Sequence, residues 1–208
     1  VTTSLAGSDL AEGKEGALFT VPGPPGASGP VTLASALRPD LTLVHGVCAD
    51  RRGNIVLVPP IGEGAWAAYA ARRGVLASVE RIVPEWVIER HPERVVIPGQ
   101  RVIALCEAPY GAHPQSLRGA DIGGVTGYRD DYAFLTEVAE RCATPEGARE
   151  WFREWVLDVE DHAGYLERLG EARFAELALR ETGEDCDPAL HGAPSTFTYE
   201  SAAGRGVG

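Results

Sequence analysis

The sequence predicts an α/β fold: an open, mostly parallel sheet flanked by helices, with a helical C-terminal region. Three observations predict it. Apolar runs at 41–46, 75–79 and 102–106 are short and nearly unbroken, as expected of strands buried on both faces of a parallel sheet. These runs alternate with turns and one helical segment in β–turn–β–α–β order. Beyond about residue 129 the apolar spacing changes to a 3.6-residue period.

Taken in order, residues 1–10 are small and polar and read as a loop. Residues 20–30 hold Pro22, Pro24, Pro25 and Pro30 among three glycines, which excludes regular structure. The 41–46 strand is bounded by Pro39 and Asp40, and 50–54 makes a tight turn with Gly53 supplying positive φ. A short strand at 55–58 is closed by Pro59 and Pro60. An alanine-rich helix follows over 64–73 and ends at Gly74. The strand at 75–79 precedes a short helix or turn at 84–90, an edge strand at 95–98 and a buried strand at 102–106.

Helices are expected over 131–142, 145–157 and 161–181. Asp130 is expected to cap the first. Thr144 is an N-cap, and Pro145 occupies the first helical position of the second. Trp151, Trp155, Tyr165 and Leu169 fall at helical spacing as packing residues. Residues 192–208 are rich in small residues and read as a flexible tail, which leaves 1–191 as one domain.

The composition excludes several classes. The chain of 208 residues is 44 % hydrophobic, enough for a sizeable core. Its net charge of −11 disfavours nucleic acid as a partner. No apolar run is long enough to cross a membrane, and no signal peptide is visible. Cys48, Cys106, Cys142 and Cys186 form no C-x-x-C pair, which argues against a metal site and a disulfide framework. They read as free thiols, and a cytoplasmic location is expected.

The chemistry-bearing stretch is 101–114. The apolar strand stops at Pro109, and Gly111, Ala112, His113 and Pro114 form a turn. In open α/β sheets ligands bind at the carboxyl ends of strands, which makes Glu107, Gly111 and His113 candidates. The alternative is a rigid structural turn carrying one exposed histidine. Glu80, near the end of another strand, is either a site carboxylate or the partner of Arg81 or another arginine. His45 could bond a turn backbone beside Asp50, and Cys48 reads as a buried bystander.

These pieces, in their order, resemble the A-type chain of the family I coenzyme A transferases, of the glutaconate CoA-transferase type. Thr2-Thr3-Ser4-Leu5-Ala6-Gly7-Ser8-Asp9-Leu10 resembles the family's loop ending in Gly-Ser/Thr-Asp-Leu. Val44-His45, Ala49-Asp50, Gly53-Asn54, Ser78-Val79-Glu80-Arg81 and Glu107-Ala108-Pro109 through Pro114 follow. Tyr128, Asp130 and the segment from Asp161-His162 to Leu169-Gly170 complete the set, which covers roughly residues 1–170. The match begins well inside the family's A-type chain. The family's upstream glycine-rich region is therefore expected outside this sequence, which also contains no methionine.

The resemblance implies one chain of an acyl-CoA enzyme with no permanently bound cofactor, coenzyme A being part of the substrate. It implies a hetero-oligomer with a B-type partner, whose glutamate forms a glutamyl-CoA intermediate during transfer of CoA between carboxylic acids. C–C hydrolysis or decarboxylation of a CoA thioester on the same fold is the alternative. So is a non-catalytic role in stabilising a B-type partner. The expected substrate-binding residues are Ser4, Gly7, Glu80, Pro109, Gly111, Ala112 and His113, and no catalytic residue is assigned to this chain.

Overall fold

The computed structural model describes residues 16–26, 29–59, 61, 63–118 and 122–179, together with Asp9. The chain divides into two compact units between Pro39 and Asp40. In the first, β1 (Leu18–Val21) and β2 (Val31–Ala34) form an antiparallel hairpin around the proline- and glycine-rich segment. The loop expected over 1–10 and the tail expected over 192–208 lie outside the described residues, Asp9 excepted.

The second unit is built on a five-stranded sheet. Its strands are β3 (Leu41–Ala49), β4 (Ile55–Val56), β5 (Gly74–Ile82), β6 (Val95–Ile97) and β7 (Val102–Glu107). Their spatial order is β6-β4-β3-β5-β7. The long registers, β3 with β5 and β5 with β7, are parallel; the two-residue pairings of β4 with β3 and β6 are antiparallel. The sheet is therefore mixed, with a parallel centre. Gly53 turns the chain from β3 into β4 at φ 84°.

The core sits where β3, β4 and β5 meet. Cys48, Ala49, Ile55, Val56, Val75, Val79 and Ile97 are fully buried. Each large aliphatic side chain there contributes roughly 1.5–3 kcal/mol by leaving water. Helix α1 (Glu63–Ala70) lies on one face of the sheet, with the small residues Ala65, Ala68 and Ala71 buried. Thr42 Oγ1 donates to the Ala67 carbonyl at 2.9 Å and ties helix to strand.

One strand departs from expectation. The run at 102–106 reads as buried, yet β7 is an outer strand of the sheet among the described residues and is largely exposed. Ile103 is 54 % exposed. A continuous apolar run is the pattern of a strand covered on both faces, and here neither face of β7 is fully covered. The edge strand expected at 95–98 is found as β6, at the opposite margin.

Helix α2 (Glu85–Glu89) follows β5. The C-terminal region carries α3 (Tyr132–Arg141), α4 (Pro145–Phe152), α5 (His162–Leu169) and α6 (Glu171–Leu177). Thr144 Oγ1 accepts from Gly147 N–H at 3.2 Å, with Pro145 opening α4 as expected. A π-helical turn, Arg153–Leu157, prolongs α4. The single helix expected over 161–181 is two helices, because Gly170 takes φ 80° and breaks it. The cap of α3 is Asp131, whose Oδ1 accepts from Phe134 N–H at 2.8 Å. Asp130, the expected cap, instead accepts from Ser116 N–H. Phe134, Trp151, Trp155 and Tyr165 pack edge-to-face and stacked across α3, α4 and α5. Among the described residues no helix is long and apolar enough to cross a membrane.

Candidate functional site

The candidate site lies on one face of β3 and β5, from the middle of each strand toward its carboxyl end, under the loop that follows β7. His45 and Ser78 are paired in the β3–β5 register. Ser78 and Glu80 are two residues apart on β5, so all three side chains project from the same sheet face. His45 Nδ1 lies 2.8 Å from Ser78 Oγ, and His45 Nε2 lies 2.8 Å from Glu80 Oε1. A carboxylate only accepts, so Nε2 carries a proton toward Glu80, and the Ser78 hydroxyl, which can donate or accept, is the partner of Nδ1.

Glu80 has further donors. Tyr128 OH donates to Oε1 at 2.7 Å, and the Tyr110 backbone N–H donates to Oε2 at 2.6 Å. The Glu80 side chain is 8 % exposed. Its partner is thus His45, not Arg81, whose Nη1 donates to the Gly123 carbonyl. Tyr128 OH also accepts from Ala112 N–H at 3.0 Å, linking the carboxylate to the loop. Burial, reinforced by the Glu80 charge, pushes the Tyr128 phenol far above its ordinary range, and Tyr110 is raised by the same two causes.

The loop itself is tightly shaped. Tyr110 holds φ 57°, a left-handed conformation that a bulky residue adopts only under constraint. Its ring packs against Tyr128 and Phe174, with centroids 4.8 and 4.2 Å away. Gly111 lies against the His45 ring. A Cβ there would fall 2.7 Å from His45 Nδ1 and 2.8 Å from the Ala108 carbonyl oxygen. Only glycine permits that approach.

His113 is not the exposed histidine that its turn sequence suggests. Its side chain is 0 % exposed, and the His113–Pro114 peptide is cis. Nδ1 accepts from Tyr165 OH at 2.6 Å, and Nε2 donates to Asp131 Oδ2 at 3.1 Å. Arg173 Nη1 donates to the same Asp131 oxygen at 2.9 Å. Burial alone would raise the Asp131 carboxyl. The Phe134 N–H, His113 and Arg173 outweigh burial and hold it below the usual range. Burial pushes Tyr165 up to about 12, with Asp131 adding to the shift. Both nitrogens of His113 are therefore occupied by the protein itself.

Helix α5 grips the loop at two points. His162 Nε2 donates to the Pro109 carbonyl at 2.6 Å, and three residues on, Tyr165 holds His113. Residues at i and i+3 share a helix face. Glu107 closes the end of β7, with Oε2 accepting from Ile82 N–H at 2.7 Å. Cys48 is buried, and that burial, with Asp50 nearby, raises its thiol to about 11, which leaves it protonated and inert at neutral pH.

The sequence-predicted residues thus fall into two groups. Glu80, Pro109, Gly111, Ala112 and His113 are brought together. Ser4 and Gly7 lie outside the described residues. Sequence reasoning does not single out Ser78, Tyr110, Asp131 or Arg173. For Ser78 a signal exists, since it stands two residues before Glu80 on the same strand face. A hollow of ≈ 460 Å³ opens beside this cluster, lined by Leu43, His45, Leu76, Ser78, Ala104 and Cys106 among others. Among the described residues no group of His, Cys, Asp and Glu is arranged to hold a metal ion.

The sequence and the fold have counterparts. A family model described as coenzyme A transferase matches residues 1–108. The A-type chain of glutaconate CoA-transferase from Acidaminococcus fermentans is 31 % identical over 140 residues, 67 % of this chain and 41 % of that protein. The crystal structure of the glutaconate coenzyme A-transferase from A. fermentans superposes with a TM-score of 0.70 at 27 % identity, covering 79 % of this chain and 50 % of that one. A variant of the decarboxylase AibA/AibB superposes with a TM-score of 0.51 at 28 % identity, covering 72 % and 50 %. The chain spans less than half the length of the curated relatives it matches.

Proposed function

Because the chain belongs to the coenzyme A transferase family and resembles its A-type chains, we propose that it works as the A-type part of a heteromeric acyl-CoA enzyme whose nucleophile is a glutamate on a B-type partner. The observation that carries this reading is the occupancy of Glu80. Its two oxygens accept from His45, Tyr128 and the Tyr110 N–H, and its side chain is 8 % exposed. A carboxylate so engaged is a poor nucleophile, because attack would require it to leave three donors. Glu80 acts as a framework group that shapes the loop.

In the proposed reaction, a partner carboxylate oxygen attacks the thioester carbonyl and expels the CoA thiolate, leaving a mixed anhydride. The thiolate then attacks the glutamyl carbonyl, releases the first acid and forms a glutamyl-CoA thioester. An acceptor carboxylate repeats the two steps in reverse. This chain binds and orients. The Pro109–Pro114 loop, held by Glu80 and Tyr128 beneath and α5 behind, forms the acyl side of the cleft. Gly111 keeps that wall thin, Pro109 and Pro114 fix its course, and His113 is a positioning residue acting through Tyr165 and Asp131.

The test is mass spectrometry of each chain after the reconstituted heteromer meets acyl-CoA. A CoA adduct on the partner chain is expected. An adduct on Glu80 or Glu107 of this chain would overturn the assignment. A second reading, decarboxylation of a carboxylated acyl-CoA, draws on the likeness to the decarboxylase AibA/AibB. Carbon dioxide release without CoA exchange would favour it.

A further inference from the structure

A second cavity, of ≈ 440 Å³, opens beyond the end of β5 and is lined by Arg81, Trp86, Arg90, His91, Gly123 and Gly124 among others. It is separate from the Glu80 cluster. Adjacent strand residues face opposite ways, so Arg81 turns away from the surface on which Glu80 lies. Among the described residues no acidic side chain lines it, although the chain as a whole carries a net charge of −11. Glu85, close in sequence, is engaged by Arg52 at 2.6 Å, and Glu93 lies 3.9 Å from both His91 and Arg94.

We propose that this cavity binds an adenine nucleotide, with Arg81, Arg90 and His91 taking a diphosphate and Trp86 taking the base. Each feature has its counterpart in that ligand. Arg81 uses one donor on the Gly123 carbonyl at 3.1 Å; its remaining donors have no protein partner among the described residues. A guanidinium offers five donors in a fork that matches phosphate oxygens. Arg90 lies over Trp86, with Cζ 4.6 Å from the ring centroid. Trp86 is 54 % exposed, an unusual setting for an indole. Together they make a cationic platform on which a base stacks. Gly123 and Gly124 have φ 69° and 70°. A Cβ on Gly124 would lie 3.2 Å from Arg81 Nη1, so the bare backbone keeps the guanidinium reachable.

Two sources share this chemistry: a free adenine nucleotide and the nucleotide end of coenzyme A. Titrating the chain in dilute solution with ADP, with pyrophosphate and with CoA, by tryptophan fluorescence and calorimetry, separates them. ADP is expected to quench fluorescence saturably and to be displaced by pyrophosphate. Arg90→Ala is expected to weaken binding at least 10-fold with an unchanged circular dichroism spectrum, because the Arg90 side chain lies over Trp86 and forms no ion pair with another of the described residues. Trp86→Phe should remove the quench while leaving calorimetric heat. Arg81→Ala is the less clean variant, since it also releases the Gly123 turn.

CoA binding with the same Arg90 dependence assigns the site to the acyl-CoA substrate; ADP binding without CoA binding assigns it to a free nucleotide. Absence of saturable binding by both, or binding that Arg90→Ala leaves intact, overturns the proposal. Acyl-CoA turnover by the heteromer is measured separately, so failure of the acyl-transfer reading would leave this result standing, and the reverse.

Discussion

Gly111 and His45 are pressed together: a Cβ at position 111 would fall 2.7 Å from His45 Nδ1. Since that ring also holds Ser78 and Glu80, the glycine sets how the loop seats on the sheet. Gly111→Ala should cost about 1–3 kcal/mol of stability, the usual range for overpacking. The same variant should lower turnover of the heteromer. In the Gly111→Ala background, His45→Ala should cost less than it does in the parent, because it relieves the overpacking. A double-mutant cycle by urea denaturation reads the coupling, and simple additivity would show that the contact is unimportant.

Tyr128 bridges carboxylate and loop through one hydroxyl. Tyr128→Phe leaves the ring packing in place but deprives Glu80 of a donor and Ala112 N–H of its acceptor. Loss of about 1–3 kcal/mol follows from leaving buried polar groups unpaired. Thermal melting should show it, with the far-ultraviolet spectrum unchanged. A variant as stable as the parent would mean water replaces both bonds.

His113 is a strut, and its replacement should behave like one. His113→Ala abandons Asp131 and Tyr165 in a buried setting and should destabilise by about 3–5 kcal/mol, as removing one member of a buried pair does. At temperatures where the variant is still folded, KM should hold close to the parent value while kcat falls with loop order. A large rise in KM with unchanged stability would instead indicate direct substrate contact.

Alkaline pH should loosen the same region. The Tyr165 phenol is raised from 10.0 to about 12, and the Cys48 thiol from 9.0 to about 11. A group whose pKa is higher folded than unfolded contributes fully below its unfolded value and loses that contribution as pH rises toward its folded one. Stability should therefore fall progressively above pH 9, most steeply between 10 and 11, where both groups contribute. Denaturation midpoints at a series of pH values test this, and Tyr165→Phe should flatten the upper part of the curve.

The parallel centre of the sheet is legible in the sequence because β3 and β5 are apolar and end at turn residues. The cap at Thr144 is legible for the same local reason, whereas the end of α1 is not: the helix stops at Ala70, and Gly74, expected to end it, opens β5. Pairing at long range is not. Glu80 meets His45, 35 residues away, and Tyr128, 48 residues away, and no local pattern encodes such partners. His113 reads as exposed because a proline-flanked histidine in a turn ordinarily faces water, whereas here α3 and α5 close over it. The two adjacent aspartates, 130 and 131, are chemically equal as caps, and only the loop's path selects the second. The break at Gly170 is hidden because the apolar spacing continues across it.

The open margin at β7 has a practical consequence. A six-residue strand, Val102–Glu107, with Ile103 uncovered and no further strand beside it among the described residues, offers a ladder of unspent backbone donors and acceptors to any other extended chain. Only its last residue, Glu107, is charged. For anyone producing the protein, the hazard is self-templating: single chains at high concentration would zip margin to margin and precipitate, and, on the function proposed above, co-expression with a B-type partner becomes the preparative route. Ile103→Lys is the corresponding solubility graft. It places a charge on the rim without touching the buried side chains of β3 and β5, and it should shift singly expressed chains from pellet to supernatant.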